Sequence, residues 1–353
     1  MKTVYINGYF CLEQIKGGVN RFAHEILCAL DSLTIKNNLT IKFVLLVPKL
    51  QFKRPELKSI EIRTIGLFKQ KYLWEQISLP LYVGDSFLIN LANFAPIYKT
   101  NQLCIIHDAL IFRYPGSYSW KFRIVTQYFH RQLVKRCKYI GTVSNFSAKE
   151  IHNVVGQPKN PIVILGNSAE KFTCLAITDD YLKTAGLESQ GYILSVFSQK
   201  NSQYKNIDNY LKAIAQINFK FVCVGNVELN EINLPDNLVQ LGYVSDNQLK
   251  TLYLNSYATL VPSVYEGFGI PLLEAMASGS PLILSDIPVF KEITSNGAIY
   301  FDPNNTQDMV DKINQLICNS DIRNYLVNYG YNQVKNFSWQ EYARKIYQLL
   351  DNR

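Results

Sequence analysis

The run YEGFGIPLLEAMASG, residues 265–279, places two carboxylates, Glu266 and Glu274, eight residues apart around Gly267, Gly269 and Pro271. A carboxylate pair raises the acid and nucleophile chemistry of glycoside cleavage. An unbroken helix would set the two roughly two turns apart on similar faces. The glycines and the proline argue against that helix. Glycine permits unusual backbone angles, and proline suits the first turn of a helix better than its interior. The chain is therefore expected to run as a loop through Gly269 and to enter a helix at about Pro271. Glu266 then lies on the loop and Glu274 in the first helical turn, beside free backbone amides that attract anions. Three roles follow. The N–H groups near Gly269, Ile270 and Leu272 bind a phosphate, Glu274 accepts hydrogen bonds from ribose hydroxyls, and Glu266 reaches a neighbouring sugar. The same residues also suit an ordinary strand–loop–helix unit, in which a first-turn glutamate only complements the helix dipole.

The elements that must hold this loop recur along the chain. Strands are predicted in the first half at 3–7, 42–47, 87–90, 103–106, 139–143 and 162–165. In the second half they are predicted at 192–196, 219–224, 238–241, 258–261, 281–285 and 298–301. Helical patterns fill most gaps, as at 19–33, 207–217 and 305–317. Alternating strand and helix implies parallel sheets with right-handed crossovers. The pattern occurs twice, separated by a weakly patterned stretch at about 167–190 that reads as the connection. Two doubly wound domains present the carboxyl ends of their strands to ligands, so a cleft between them is the expected site. The strand at 258–261 ends at Pro262, which puts the glutamate loop at such an end. A last helix, 338–350, starts with Ser338 as its cap and has no strand after it.

The stretch SVYEGFGIPLLEAMASGSPLILSDIPVFKEI resembles the donor-binding segment of retaining glycosyltransferases of family 4, and most closely their mannosyl- and rhamnosyltransferase-like members. Their pattern S-x-x-E-G-F-G-x-P-x-x-E-A-M-A-x-G is matched from Ser263 through Glu266, Gly267, Phe268, Gly269, Pro271 and Glu274 to Gly279. The resemblance implies the GT-B fold. Its expected division is an acceptor-side Rossmann-like domain at 1–170, a nucleotide-sugar-binding one at 171–336, and a C-terminal helix at 337–353 crossing back to the first. It also implies that the run from Glu266 to Leu272, with Glu274, binds the donor. Lys205 and Asn206, in QYKNIDNYLKAI, resemble the family's diphosphate-binding segment, where an ammonium serves as a point charge. In LGYVSDNQLKTLY, the backbone near Tyr243 and Val244 resembles the loop that holds the nucleobase. Gly17 and Gly18, in IKGGVNRFAHEIL, resemble the glycine loop after the first strand, where backbone approaches donor or acceptor without a Cβ clash. His107, followed by Asp108, resembles the histidine that lines the donor-sugar and acceptor pocket.

The chain also departs from the family. SVFSQKNSQYKN has Phe197 where a small residue is common, and Lys200 stands where a second basic group is expected. Ser144 and Asn145 read as helix caps, and Asp286 as a turn residue.

Taken together, the resemblance implies transfer of a sugar from a nucleoside-diphosphate donor to a hydroxyl, with retention. Glu266, His107 and Lys205 would carry the chemistry. Oriented amides and Lys205 stabilise the leaving diphosphate, Glu266 positions the sugar without acting as a nucleophile, and no metal or other cofactor is expected. The setting implied is bacterial surface polysaccharide assembly, such as O-antigen or capsule. A GT-B-fold epimerase or phosphorylase, and a non-catalytic nucleotide-sugar-binding protein, remain alternatives.

Composition sets outer limits. The chain has 353 residues, 48% hydrophobic and 18% charged, and a net charge of +8, which suits two domains and anionic partners. It matches no nucleic-acid-binding motif. No apolar run is long enough to span a bilayer. Seven scattered cysteines without CxxC spacing read as free thiols in a reducing compartment, so the expected location is the cytoplasm; the family resemblance adds the inner face of the plasma membrane. Between residues 118 and 140, basic side chains alternate with Tyr, Trp and Phe. Such a helix either rests on anionic lipid or is an outer helix with a solvated face. The resemblance implies a lipid-linked oligosaccharide as the acceptor.

Overall fold

The computed structural model describes residues 2–12, 17–37, 41–52, 54–66, 68–178, 180–197, 203–225 and 234–351. The chain divides into two compact units, Met1–Asn167 with Ser338–Arg353, and Ser168–Phe337. Each unit carries one doubly wound α/β sheet.

Among the described residues the first unit holds seven strands: β1 (Lys2–Asn7), β2 (Ile41–Pro48), β3 (Glu61–Ile65), β4 (Phe87–Asn90), β5 (Gln102–Ile105), β6 (Tyr139–Thr142) and β7 (Val163–Ile164). Their order is β3-β2-β1-β4-β5-β6-β7, and every pairing is parallel. Burial on both faces explains the apolar runs, as in FLIN of β4 and IKFVLLVP of β2. β3 was not expected from sequence. EIRTI is a half-exposed edge strand whose Glu61 pairs with Lys42 on β2 and with Arg63, so charge replaces the apolar signal. The C-terminal helix Trp339–Asp351 packs on Gly18–Asn37 in this unit, with the Trp339 and Phe22 rings 5.7 Å apart.

The second unit holds β8 (Tyr192–Val196), β9 (Lys220–Val224), β10 (Leu238–Gln240), β11 (Ala258–Val261), β12 (Leu282–Ser285) and β13 (Ala298–Phe301). All pair in parallel, in the order β10-β9-β8-β11-β12-β13. Its core includes Phe197, Tyr210 and Phe221, whose rings meet edge to face. The stretch 168–190 belongs to this unit and carries two short helices, Glu170–Thr173 and Tyr181–Thr184. It is tied down by the Phe172–Tyr253 ring contact and by Lys250 Nζ, which donates to the carbonyls of Thr173 and Leu175 at 2.7 and 2.6 Å. Too short for periodicity, these helices left no signal in the sequence.

In each sheet the winding reverses once, between β1 and β4 and between β8 and β11. Loops leaving the carboxyl ends of the two central strands diverge there and open a crevice.

Candidate functional site

In the second unit the loops after β8 and β11 carry the residues singled out in the sequence. Lys205 ends a short 3₁₀ turn, Gln203–Lys205, and is 7% exposed. Its Nζ lies 2.5 Å from Glu266 Oε1, and Ser263 Oγ donates to the same oxygen at 2.9 Å. The Val264 amide donates to the Tyr204 carbonyl at 2.8 Å. One backbone bond and one part-buried ion pair thus lock the two switch-point loops together. A buried ammonium needs such a partner, since desolvating an unpaired charge is strongly unfavourable. Ser263 was legible only as a motif residue. Its place three residues before Glu266, at the end of β11, is the signal for its role as a support.

The glutamate loop ends at Gly269, whose φ of 97° makes it a left-handed N-cap for the helix Ile270–Ala277. A Cβ there would also sit 3.0 Å from Leu272 Cδ1, so the tight turn requires glycine. The helix therefore begins one residue earlier than expected, and Pro271 is its second residue. Glu274 is the fifth residue of that helix and lies past the first turn, correcting its expected place. It is buried. Of the amides expected to hold phosphate, Pro271 has none and Leu272 donates to the Gly269 carbonyl at 3.0 Å. Gly269 and Ile270 supply the remaining pair. Phe268 is buried edge to face against Phe337, with ring centroids 5.8 Å apart; it anchors the loop from below. Gly267 is buried beside it.

Asn206 also adopts a left-handed conformation and caps the helix Ile207–Ile214. Its amide donates to the Pro303 carbonyl at 2.7 Å, and Asn209 donates to its side-chain oxygen at 3.0 Å. The side chain thus fastens the Lys205 turn to the loop after β13. Phe197 is buried against Tyr210. Lys200 lies outside the described residues. Tyr243 is exposed and Val244 half-buried, on the turn between β10 and the helix Asp246–Asn255. That turn is held by the Gly225 amide, which donates to the Gly242 carbonyl at 2.7 Å, and by a Ser245–Gln248 capping box. Asp286 pairs with Lys291 at 2.7 Å, as suits a turn residue.

In the first unit Gly17 accepts the Arg21 amide at 3.0 Å through its carbonyl, and Gly18 opens the helix Gly18–Asn37. Both are exposed, and a Cβ on Gly17 would meet no described atom within 4 Å. His107 follows β5 and is buried, its ring edge-on to Phe22 at 4.8 Å. Burial pushes its pKa down to about 4 against a weaker opposing effect of the Leu91 carbonyl. That carbonyl lies 3.2 Å from Nε2. A carbonyl only accepts, so Nε2 carries the proton and Nδ1 is an acceptor. His107 is thus a neutral, fixed imidazole near pH 7. Ser144 caps its helix as expected, accepting the Ser147 amide at 3.0 Å.

A parallel sheet with a helix start and a Lys–Glu pair at its switch point is a doubly wound α/β unit whose polar side chains gather where such sheets bind ligands. Known proteins narrow this class. The family Glycosyl transferases group 1 matches residues 180–333. The chain is 30% identical over 294 residues to the O-antigen chain mannosyltransferase RfbU of Salmonella typhimurium, covering 79% of each. It is 29% identical over 289 residues to O-antigen chain mannosyltransferase B of Escherichia coli, covering 74% of this chain and 71% of that one. Among solved structures, sucrose-phosphate synthase from Thermosynechococcus elongatus matches with a TM-score of 0.74 at 16% identity, over 100% of this chain and 99% of that one. Anabaena HepE in complex with UDP and glucose matches with a TM-score of 0.70 at 14% identity, over 100% of both chains. These two likenesses show that the fold is GT-B. The chain belongs to the group 1 glycosyltransferases, and its activity is glycosyl transfer.

Proposed function

We propose that the enzyme transfers mannose from a nucleoside-diphosphate donor to a hydroxyl of a growing, lipid-linked O-antigen chain, retaining the anomeric configuration and without a metal ion. The relatives named above favour mannose and O-antigen, and HepE, similar in fold, binds UDP and glucose. The observation that carries the reading is the pairing of buried Lys205 with Glu266 beside the Gly269 helix start. In this site the diphosphate sits on the amides of Gly269 and Ile270, and the Lys205 ammonium balances the charge that grows on the leaving phosphate. Glu266, pinned by Lys205 and Ser263, orients the sugar. Glu274 accepts from the ribose hydroxyls, and the backbone at Tyr243 and Val244 frames the base. Gly17, Gly18 and His107 serve the donor sugar and acceptor. The leaving phosphate takes the acceptor proton, so no separate base is required. The reaction takes place at the cytoplasmic face of the membrane, with the segment 118–140 in peripheral contact with it.

Calorimetric titration with a panel of nucleotide sugars tests the site. Lys205→Ala and Glu274→Ala should each weaken donor binding by about tenfold or more, about 1.4 kcal/mol. Wild-type affinity in both would remove the site from this corner of the fold. NMR of the product reads the anomeric outcome, and inversion would reject retention. Turnover should survive EDTA; its loss would reject metal independence.

A further inference from the structure

Eleven of the sixteen exposed large apolar side chains among the described residues fall between 72 and 128, all in the first unit. Ten of the eleven come from two segments. One is the helix Trp120–Arg136, where Trp120 is 64% exposed and Ile124 and Tyr128 follow at four-residue steps. At 100° per residue, Arg131 and Lys135 lie within the same arc of about 80°. The apolar stripe therefore runs into a basic one. The second segment is the helical stretch 71–83, which the sequence reading did not single out. Leu73, Ile77 and Leu81 recur there every fourth residue, and Leu81 is 78% exposed. The stretches meet where the Tyr72 ring lies 5.9 Å from Phe129, with Phe94 within 6.0 Å of both.

Charge selects the occupant. Residues 117–140 hold six Lys and Arg and no Asp or Glu. The one acid in 71–83, Glu75, is buried. Exposed Trp and Tyr beside Lys and Arg suit the boundary between headgroups and acyl chains, and each basic residue gains from anionic lipid. A second copy of this face would set like charge against like. We propose that the two segments form one docking surface for an anionic bilayer, with Leu81 and Trp120 as the inserting side chains. The proposal rests on and deepens the reading of a lipid-linked acceptor, because it adds the 71–83 helix to the contact.

Flotation of the full chain with vesicles of phosphatidylcholine alone, or with about 30% phosphatidylglycerol, tests it. The chain should float with anionic vesicles, release in high salt, and lose about tenfold or more of its partitioning in the double variant Leu81→Glu/Trp120→Glu. Tyr325→Glu, exposed in the second unit, should leave partitioning unchanged. Equal binding to neutral vesicles, no binding, or an equal loss in Tyr325→Glu would overturn the proposal. So would a lipid-free dimer, read by sedimentation, that the double variant dissolves. Circular dichroism confirms folding, and donor titration runs on the same samples. Lost flotation with intact donor binding sinks the surface alone; lost donor binding with intact flotation sinks the functional reading.

Discussion

Lys205 and Glu266 stand 61 residues apart in the chain and 2.5 Å apart in the fold. Each was legible from local pattern, one before a helix and one within a glycine-rich loop. Their contact was not legible, because it exists only once β8 and β11 lie side by side. The pair makes a sharp prediction. Glu266→Ala leaves an ammonium buried without its carboxylate, which should cost about 3 kcal/mol in urea unfolding of the second unit. Inorganic pyrophosphate should restore part of that loss by supplying a new anion to Lys205; no restoration would place the diphosphate elsewhere. Gly269 offers a second test. Its φ of 97° and the nearby Leu272 Cδ1 at 3.0 Å mean that Gly269→Ala should destabilise by about 1–2 kcal/mol in the same assay. The variant should also bind donor more weakly, since the amides of Gly269 and Ile270 turn with the strained backbone.

Elements were legible where burial wrote a pattern. The two-face-buried strands read as apolar runs, and β8 and β11 were bounded correctly for that reason. β3, half-exposed and charged, wrote none. The stretch 71–83 was missed because a five-residue π-turn at Trp74–Ser78 breaks the 3.6-residue rhythm and Pro80 stands just inside the next helix. The placement of Glu274 failed for a subtler reason: a left-handed glycine cap starts the helix before the proline that signals it. Two buried histidines give this scale its pH test. Burial pushes both His107 and His130 down to about 4, against weaker opposing effects of the Leu91 and Asn93 backbone. Between the ordinary histidine value near 6.5 and 4, the unfolded chain binds protons that the native chain refuses. Stability should therefore fall as pH drops through that window, by about 3 kcal/mol per histidine, and these two groups add no further loss below it. His130→Phe fits among Phe94 and Phe112 and should remove one of the two histidine contributions to the slope of unfolding free energy against pH.

At the scale of the whole molecule, the doubled β–α alternation announced two sheets, and the Glu266 loop pointed to the carboxyl end of one. What composition and period could not convey was that Glu274 lies within the helix, past its first turn, and how the stretch 168–190 is held. It depends on Lys250 and Tyr253, some seventy residues onward. The first unit is discontinuous in sequence, because its helix Trp339–Asp351 arrives after the entire second unit. Trp339, Tyr342, Ala343, Ile346 and Leu350 are buried there, and Lys2 Nζ donates to the Leu350 carbonyl at 3.0 Å. Burial of each large apolar side chain contributes about 1.5–3 kcal/mol. Truncation after Phe337 should thus unfold the first unit at markedly lower temperature while the second keeps its own transition, as differential scanning calorimetry can resolve. The same discontinuity bears on synthesis. Domains that fold on the ribosome do so in the order they emerge, yet here the half that emerges first must wait for the closing helix, and the contiguous middle half can mature before it. A nascent chain stalled just past Phe337 should protect Ser168–Phe337 from protease and leave the leading half open to attack.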